Sequence, residues 1–274
     1  MMAAARQRNA NVKLYALQWT APKWVSQDGH SIFSGDKNIN YTLSWLHGAR
    51  SRWNITTIEY LGFWNEQAEP NVAYILQMRA ALDANGWQKT KLIHMDSSFD
   101  ENVFKQVMSD AKVRQSIYAL GLHAPPDCPR GPGGCKGLAK PLLPSWSNVA
   151  ADDRPLLWAS EDGNLPCDLA GALKFGQRMS RNWLALNITA TVRWSLVWTA
   201  LPGTICNGAG LLRADTPITG GFQGQDGGEP APNLHVMAHW TWFTAPGWTL
   251  LLEGQGSGRL STCGTCGTCG MTYP

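Results

Sequence analysis

The sequence lacks the features that would assign it to several common classes of protein. None of its apolar runs approaches the roughly 18–20 residues that a membrane-spanning helix needs, so we expect no transmembrane segment. Lysine and arginine are not concentrated in any segment and the net charge is only +3, so we expect no nucleic-acid partner. No apolar segment of the signal-peptide kind follows the first arginines, so no signal peptide is expected in this chain.

The rest of the composition is that of an ordinary globular protein with many tryptophans. Hydrophobic residues make up 44% and charged residues 16% of the 274 positions, which is compatible with one large domain. Tryptophan, with 14 residues, either fills a core or offers a flat apolar ring to a ligand. The C–H faces of sugars suit such rings, so a sugar-binding cleft is one interpretation and a Trp-rich core is the other.

Two residue types bear on the compartment of the protein. Asn40, Asn54 and Asn187 each begin an N-glycosylation acceptor motif, which favours a secretory glycoprotein. The seven cysteines are ambiguous, because an odd number leaves at least one thiol unpaired within the chain. Cys128 and Cys135 flank a loop rich in glycine and proline and could pair across it.

Short apolar runs typical of strands alternate with amphipathic segments typical of helices. The predicted strands cover residues 12–19, 58–64, 91–95, 117–123, 155–160 and 189–198, and the predicted helices cover residues 40–53, 70–85, 101–114 and 168–186. This alternation indicates an α/β protein, and a complete (β/α)8 TIM barrel has eight such units. The sequence therefore predicts a TIM barrel without its first two strands. A doubly wound open sheet is the alternative, but no G-x-G-x-x-G motif follows the first predicted strand.

Two segments fall outside the alternation. Residues 124–149 are rich in proline and glycine and predict a long loop after the fourth strand. Residues 261–270 repeat Thr-Cys-Gly, and the spacing of Cys263, Cys266 and Cys269 could suit a metal. A structural zinc site needs a fourth ligand, however, and none is nearby. We interpret this segment as a low-complexity tail and expect no metal.

Two of the predicted strands lead into acidic residues that could carry out hydrolysis. Glu66 follows the second predicted strand and Glu161 follows the fifth. The carboxyl ends of barrel strands face the active site, so we expect both carboxylates at that end. Cleavage of a glycosidic bond needs one carboxylic acid to protonate the leaving oxygen and a second carboxylate to attack the anomeric carbon or to activate water. The pair predicts a glycoside hydrolase, whereas the alternative interpretation is two solvated acids at strand ends.

Five segments resemble glycoside hydrolase family 59, the galactosylceramidase family. They read LQWTAPKW at 17–24, YLGFWNE at 60–66, SED at 160–162, TATVRWSL at 189–196 and AHWTWFTAPGW at 238–248. They follow the order of the family over most of residues 10–250. The resemblance implies a partial TIM-barrel catalytic domain over residues 1–245. It also implies the start of a truncated β-sandwich, together with the low-complexity tail, over residues 246–274.

The resemblance also implies roles for five side chains. Glu66 corresponds to the general acid/base of the family and Glu161 to its nucleophile. Asn65 corresponds to an asparagine that contacts the sugar 2-hydroxyl, and Trp19 and Trp194 correspond to aromatic residues that line the galactose pocket. Because the acid must start protonated, we expect Glu66 to be buried beside the preceding tryptophan.

The implied reaction is removal of β-galactose from a galactosylceramide-like glycolipid by double displacement, with no metal or organic cofactor. The implied partners are a glycolipid or galactoside substrate and a saposin-like lipid carrier, and the implied location is the lysosome or the exterior of the cell. Three departures from the family pattern keep alternatives open. Ala124 replaces a tyrosine, Ile218 replaces a tryptophan, and two strands have no counterpart. The alternatives are an inactive barrel remnant that only binds sugar and another retaining β-glycosidase of the same clan.

Overall fold

The computed structural model describes residues 1–26, 35–67, 71–125, 149–163, 168–199, 210–214, 229–249, 259–260 and 271–272. The chain divides into two compact units. The first unit comprises Met1–His123 and Ser145–Trp158, and the second comprises Ala124–Pro144 and Ala159–Pro274.

Six strands follow one another in a single parallel sheet in the order of the chain. They are β1 (Tyr15–Leu17), β2 (Tyr60–Gly62), β3 (Lys91–Ser97), β4 (Ala119–His123), β5 (Leu156–Asp162) and β6 (Ile188–Arg193). The predicted α/β architecture is thereby confirmed. A consecutive strand order is that of a TIM barrel, whereas the order of a doubly wound sheet reverses at its switch point.

The helices of the first unit are α1 (Met2–Arg8), α2 (Asp36–Trp53), α3 (Val72–Ala84), α4 (Glu101–Ser109) and α5 (Ala111–Ser116). The amino ends of α3, α4 and α5 are capped by side chains that accept hydrogen bonds from free backbone N–H groups. Asn71 accepts from the N–H of Tyr74, and Asp110 accepts from the N–H groups of Lys112 and Val113. The prediction of one helix over 101–114 is wrong, because Asp110 adopts an extended conformation and caps a new helix. The predicted start of the third helix at Pro70 lies outside the described residues.

The second unit contains the last four residues of β5, then α6 (Leu169–Leu186), β6 and α7 (Pro232–Trp242). The prediction that the sixth strand reaches residue 198 is wrong. That strand ends at Arg193, and β7 (Val197–Thr199) belongs to a separate sheet with β8 (Leu212–Ala214) and β9 (Glu229–Pro230). The buried side chains of Phe175 and Met179 on α6 pack against apolar residues of α7. A two-stranded antiparallel pair, β10 (Arg259–Leu260) and β11 (Met271–Thr272), lies near the carboxyl terminus.

Three observations bear on the predictions about the compartment of the protein. The acceptor residues Asn40, Asn54 and Asn187 are all exposed, and the last two end α2 and α6 in the left-handed conformation. Cys128, Cys135 and the repeated cysteines of the tail lie outside the described residues. Among the described helices, none combines the length and the apolar character needed to cross a membrane.

An aromatic cluster fills the space between the first strands and β5. Trp158 of β5 packs edge-on against Tyr60 with ring centroids 4.7 Å apart and against Tyr118 at 5.8 Å. Tyr15 of β1 meets the same tryptophan edge-on at 6.3 Å. Edge-to-face aromatic contacts at these distances stabilise the fold beyond the contribution from burying the rings. Some of the tryptophans therefore belong to the core, as one of the two interpretations predicted.

His94 of β3 is a titratable group inside the core of the first unit. Its ring meets the edge of Phe63 with centroids 5.5 Å apart, and no described residue forms a hydrogen bond with either ring nitrogen. Burial lowers the pKa of His94 from its ordinary value of 6.5 to about 4. The imidazole is therefore neutral in the folded protein near pH 7 and resists protonation on acidification.

We expect this histidine to make the protein acid-sensitive. As the pH falls from about 6.5 towards about 4, the unfolded chain binds a proton that the folded chain does not, so stability is lost across that window. Between pH 7 and pH 5 the loss should reach about 2 kcal/mol. His94→Leu should remove this part of the pH dependence, whereas His47→Gln, at an exposed position of α2, should retain it. Urea unfolding at pH 7 and at pH 5 measures the loss of unfolding free energy in each variant. An equal loss in His94→Leu and His47→Gln would contradict the assignment.

Candidate active site

Glu66 lies in a turn that follows β2, four residues after the strand ends at Gly62. The prediction that Glu66 directly follows a strand over 58–64 is therefore corrected, because the ladder stops two residues earlier than expected. The N–H of Asn65 donates to the carbonyl of Gln18, and the N–H of Glu66 donates to the carbonyl of Asp96, both at 2.8 Å. These bonds fix the turn to the residue that follows β1 and to the carboxyl end of β3.

The side chain of Glu66 is 62% exposed, so the prediction that it is buried is wrong. The preceding Trp64 is itself buried, but its ring does not shield the carboxylate from solvent. Glu66 Oε1 lies 3.4 Å from Nδ1 of His123, the last residue of β4. Burial lowers the pKa of His123, and the neighbouring Glu66 opposes this shift. The buried imidazole thus gives the exposed carboxylate a fixed neighbour.

The residues predicted to bind sugar in the first unit follow β1 and β2. Trp19 is 51% exposed and lines a cavity of about 220 Å³ together with Tyr41 and Trp45 of α2. Asn65 is half-buried, and its Oδ1 is a buried acceptor to which no described residue donates a hydrogen bond. Because an unmade hydrogen bond at a buried acceptor costs about 1–3 kcal/mol, Asn65 is suited to accept one from a ligand hydroxyl.

Glu161 is the penultimate residue of β5 in the second unit, where the strand extends two residues beyond the predicted end. It is half-buried, and its carbonyl accepts a 2.8 Å hydrogen bond from the N–H of Ala124. Ala124 adopts a left-handed conformation with φ of 41°. The backbone contact therefore holds the strand end at Glu161.

The neighbouring Asp162 is fully buried and forms an ion pair with Arg178 of α6. Nη1 of Arg178 donates to Oδ1 of Asp162 at 2.6 Å and to the carbonyl of Gly163 at 3.3 Å. Desolvation raises the pKa of Asp162, and the charges of Arg178, Arg193 and Arg181 oppose this rise. The carboxylate thus lies within a buried group of guanidinium ions.

The same segment also contacts the end of β6. The carbonyl of Asp162 accepts hydrogen bonds from Nη1 of Arg193 at 3.1 Å and from the N–H of Trp194 at 3.2 Å. A Cβ atom at Gly163 would lie 2.8 Å from the carbonyl oxygen of Trp194, so only glycine allows this approach. The backbone of Trp194, a residue predicted to bind sugar, is therefore held by the residue that follows Glu161.

The five predicted site residues divide between the units, with Trp19, Asn65 and Glu66 in the first and Glu161 and Trp194 in the second. The sequence predicted no role for Asp96, Asp162 or Arg178. Asp162 could have been noticed as an acid adjacent to Glu161, but nothing in the sequence relates it to an arginine sixteen positions later. The position of Ile218 lies outside the described residues.

The architecture is similar to that of solved glycoside hydrolases. A glycoside hydrolase family 30 xylanase from Clostridium acetobutylicum gives a TM-score of 0.59 at 16% sequence identity, covering 89% of this chain and 58% of that protein. A family 30 endoxylanase from Clostridium papyrosolvens gives a TM-score of 0.50 at 14% identity, covering 72% of this chain and 52% of that one. At these identities the likeness defines the fold alone, which is that of the TIM-barrel glycosidases.

Sequence comparison then assigns the family. Residues 1–241 match the family model described as Glycosyl hydrolase family 59. The galactocerebrosidases of Danio rerio and Homo sapiens are each 28% identical to this chain, over 253 and 259 residues, which is 92% of this chain in both cases. The chain spans about a third of the length of these curated relatives, 34% and 33% respectively. The chain belongs to glycosyl hydrolase family 59, which confirms the resemblance found in the sequence.

We expect the buried ion pair of the second unit to be a strong determinant of stability when it is broken. Asp162→Ala leaves the Arg178 guanidinium buried without this carboxylate and should lower the free energy of unfolding by about 3–5 kcal/mol. Asp83→Ala is the matched control, because the Arg79–Asp83 pair has the same 2.6 Å distance but an aspartate that is 49% exposed. That control should cost less than about 1 kcal/mol in urea unfolding.

A double replacement separates the buried charge from the loss of packing. Asp162→Leu combined with Arg178→Met removes both charges, so most of the stability lost in the single variant should return. A double variant as unstable as the single one would contradict the assignment of the loss to an uncompensated buried charge.

Proposed function

We propose that this chain carries the catalytic residues of a retaining glycosidase that removes β-galactose from galactosylceramide-like glycolipids. The observation that carries the proposal is the position of Glu161 at the end of β5 and of Glu66 just beyond β2, in a chain of a glycoside hydrolase family. Barrel enzymes carry their catalytic residues at the carboxyl ends of parallel strands. The name galactocerebrosidase, borne by the relatives from Danio rerio and Homo sapiens, supports a galactosyl lipid as the substrate.

In the proposed reaction the two glutamates have different tasks. Glu66 donates a proton to the leaving oxygen while the carboxylate of Glu161 attacks the anomeric carbon and forms a covalent glycosyl ester. Glu66 then takes a proton from water as the water attacks the same carbon and releases Glu161. The exposure of Glu66 suits a group that must meet both the leaving group and an incoming water. His123, 3.4 Å from Oε1, orients the carboxylate during both steps.

The side chains of these loops support the proposed sugar contacts. The buried acceptor oxygen of Asn65 would take a hydrogen bond from a ring hydroxyl, which the resemblance assigns as the 2-hydroxyl. The exposed ring of Trp19 offers an apolar face to the C–H side of galactose, and Trp194 contributes a second ring. The reaction requires no metal or organic cofactor, since both proton transfer and nucleophilic attack are supplied by carboxylates.

The finer features of the function come from the resemblance. The lipid substrate would be presented by a saposin-like carrier, and the enzyme would work in the lysosome or outside the cell as a glycoprotein. The exposed acceptor residues Asn40, Asn54 and Asn187 support the glycoprotein assignment. Residues 1–245 would form the catalytic domain, and residues 246–274 would begin a truncated β-sandwich followed by the low-complexity tail.

A second candidate function, sugar binding without hydrolysis, is favoured by one substitution. Ala124 keeps the backbone hydrogen bond to Glu161 but supplies no hydroxyl in place of the family's tyrosine. A site in which the nucleophile has lost such support would retain Trp19 and Asn65 for binding while losing turnover. Another retaining β-glycosidase of the same clan is the third outcome that a substrate panel distinguishes.

We expect hydrolysis of an aryl β-galactoside to depend on both glutamates. Glu161→Gln should abolish turnover, because an amide cannot form the glycosyl ester, and Glu66→Gln should lower the turnover of a poorly activated galactoside by about 100-fold or more. Glu101→Gln, which changes an exposed glutamate paired with Lys105, is the control and should retain full activity. Activity of Glu161→Gln equal to that of the unchanged protein would rule out the assignment of the nucleophile.

A trapped intermediate tests the retaining mechanism directly. A 2-deoxy-2-fluoro-β-galactoside with a good leaving group should attach its sugar covalently to Glu161, as peptide mass spectrometry would reveal. Turnover of β-glucosides instead of β-galactosides would replace the proposed substrate by that of another clan member. Galactose binding without turnover or labelling would favour the second candidate function.

A further inference from the structure

We infer that Asp96 is a positioning residue for Glu66, holding the acid/base in place through a strained bulge at the end of β3. This role rests on the proposed function, since it concerns the residue assigned as the acid/base. The inference is carried by three contacts of Asp96 in the first unit, which join the end of β3 to the turn after β2 and to strands β1 and β2.

The backbone of Asp96 holds Glu66 directly. Its carbonyl accepts a 2.8 Å hydrogen bond from the N–H of Glu66. The register between β3 and β4 shifts between His94 and Ser97, so Asp96 lies within a bulge of the strand. Bulges next to active sites re-aim side chains that a regular ladder would direct elsewhere. The bulge here turns a backbone acceptor towards the turn that carries Glu66.

The conformation of this region is strained. Met95, Asp96 and Glu66 have positive φ angles of 79°, 42° and 56°, respectively. Residues other than glycine adopt such angles at a cost of order 1–3 kcal/mol each, and they persist only where the surrounding contacts impose them. Met95 and Asp96 are strained on the acceptor side of the Glu66–Asp96 hydrogen bond, and Glu66 is strained on the donor side. We infer that surrounding contacts hold this hydrogen bond in place.

The side chain of Asp96 supplies that constraint. It is 1% exposed, and its Oδ1 accepts a 2.5 Å hydrogen bond from the hydroxyl of Tyr15 on β1. Its Oδ2 lies directly over Gly62 of β2, where an added Cβ atom would collide with it and would also lie 2.5 Å from Cδ1 of Leu17. Glycine at 62 therefore makes room for the carboxylate, and Tyr15 fixes it there.

The consequence for catalysis is specific to proton transfer. A displaced Asp96 would move the turn that carries Glu66, while the strand that carries Glu161 has its own contacts to Ala124. Loss of general acid catalysis slows cleavage of a poor leaving group but matters little when the leaving group is a weakly basic phenolate that departs unprotonated. A selective effect on poor leaving groups therefore distinguishes mispositioning of Glu66 from general damage to the protein.

The experiment compares kcat/KM for an alkyl β-galactoside and for 2,4-dinitrophenyl β-galactoside, because kcat/KM reports the step that forms the glycosyl ester. Tyr15→Phe removes the hydroxyl that donates to Asp96, and Gly62→Ala displaces the carboxylate. Both variants should lower kcat/KM for the alkyl substrate by at least about 10-fold and change the value for the dinitrophenyl substrate by less than about 3-fold. Because Glu66 also acts as the base when water releases the glycosyl ester, the variants should lower kcat for the dinitrophenyl substrate. Azide attacks the ester without needing a base and should restore this kcat.

Matched controls are available in the same unit. Tyr118→Phe removes the hydroxyl of another tyrosine packed on Trp158, and Gly48→Ala adds a methyl group where no atom lies within 4 Å. Neither control should alter the ratio of the two kcat/KM values.

The outcomes separate this inference from the proposed function. Equal slowing of both substrates by Tyr15→Phe and Gly62→Ala, or no slowing of either, would overturn the positioning role alone. Failure of the unchanged protein to hydrolyse either galactoside would overturn the proposed function and, with it, the role of Asp96.

Discussion

The buried ion pair between Asp162 and Arg178 is the interaction on which the candidate site of the second unit depends. Successive residues of a strand point to opposite faces, so fixing Asp162 against α6 also fixes the direction in which Glu161 projects. The carbonyl of Asp162 holds Arg193 and Trp194, which ties the end of β6 to the end of β5. Desolvation raises the pKa of Asp162 despite the nearby guanidinium groups, so the ionised pair adds little net stability. We therefore interpret the pair as a constraint on conformation that becomes costly only when one partner is removed.

The first unit holds its candidate residues by a different physical means. Glu66 is kept in place by a backbone hydrogen bond to a strained bulge and by the imidazole of His123, which burial favours in its neutral form. The hydroxyl of Tyr15 and the close approach of Gly62 supply the constraint that charges supply in the second unit. This difference fits the proposed tasks. A nucleophile acts from one direction only, whereas an acid/base must remain accessible to a leaving group and then to water.

The sequence predicted the strand order and the two glutamates, and it failed where distant residues decide the outcome. Apolar runs located all six strands, since burial on both faces of a parallel sheet leaves a continuous apolar signal. The break at Asp110 was missed because a capping side chain competes locally with a helical pattern that continues beyond it. The burial of Glu66 was predicted wrongly because the tryptophan before it points into the core while the turn carries the glutamate outwards. Contacts such as that of Asp162 with Arg178 exist only after folding, so no local pattern indicates them.

His94 and Asn65 each have a buried side-chain atom with no described hydrogen-bond partner, and their locations suit them to different roles. His94 is enclosed in the core beside Phe63, where the lowered pKa leaves the ring neutral and its burial tolerable. Asn65 lies instead in the turn beside Glu66, and its N–H is bonded to the residue that precedes the exposed Trp19. The role proposed for Asn65 is to accept a hydrogen bond from a sugar hydroxyl, and no such role is proposed for His94. Because pairing a buried acceptor recovers about 1–3 kcal/mol, a sugar at Asn65 would gain binding energy from a cost that the free protein already bears.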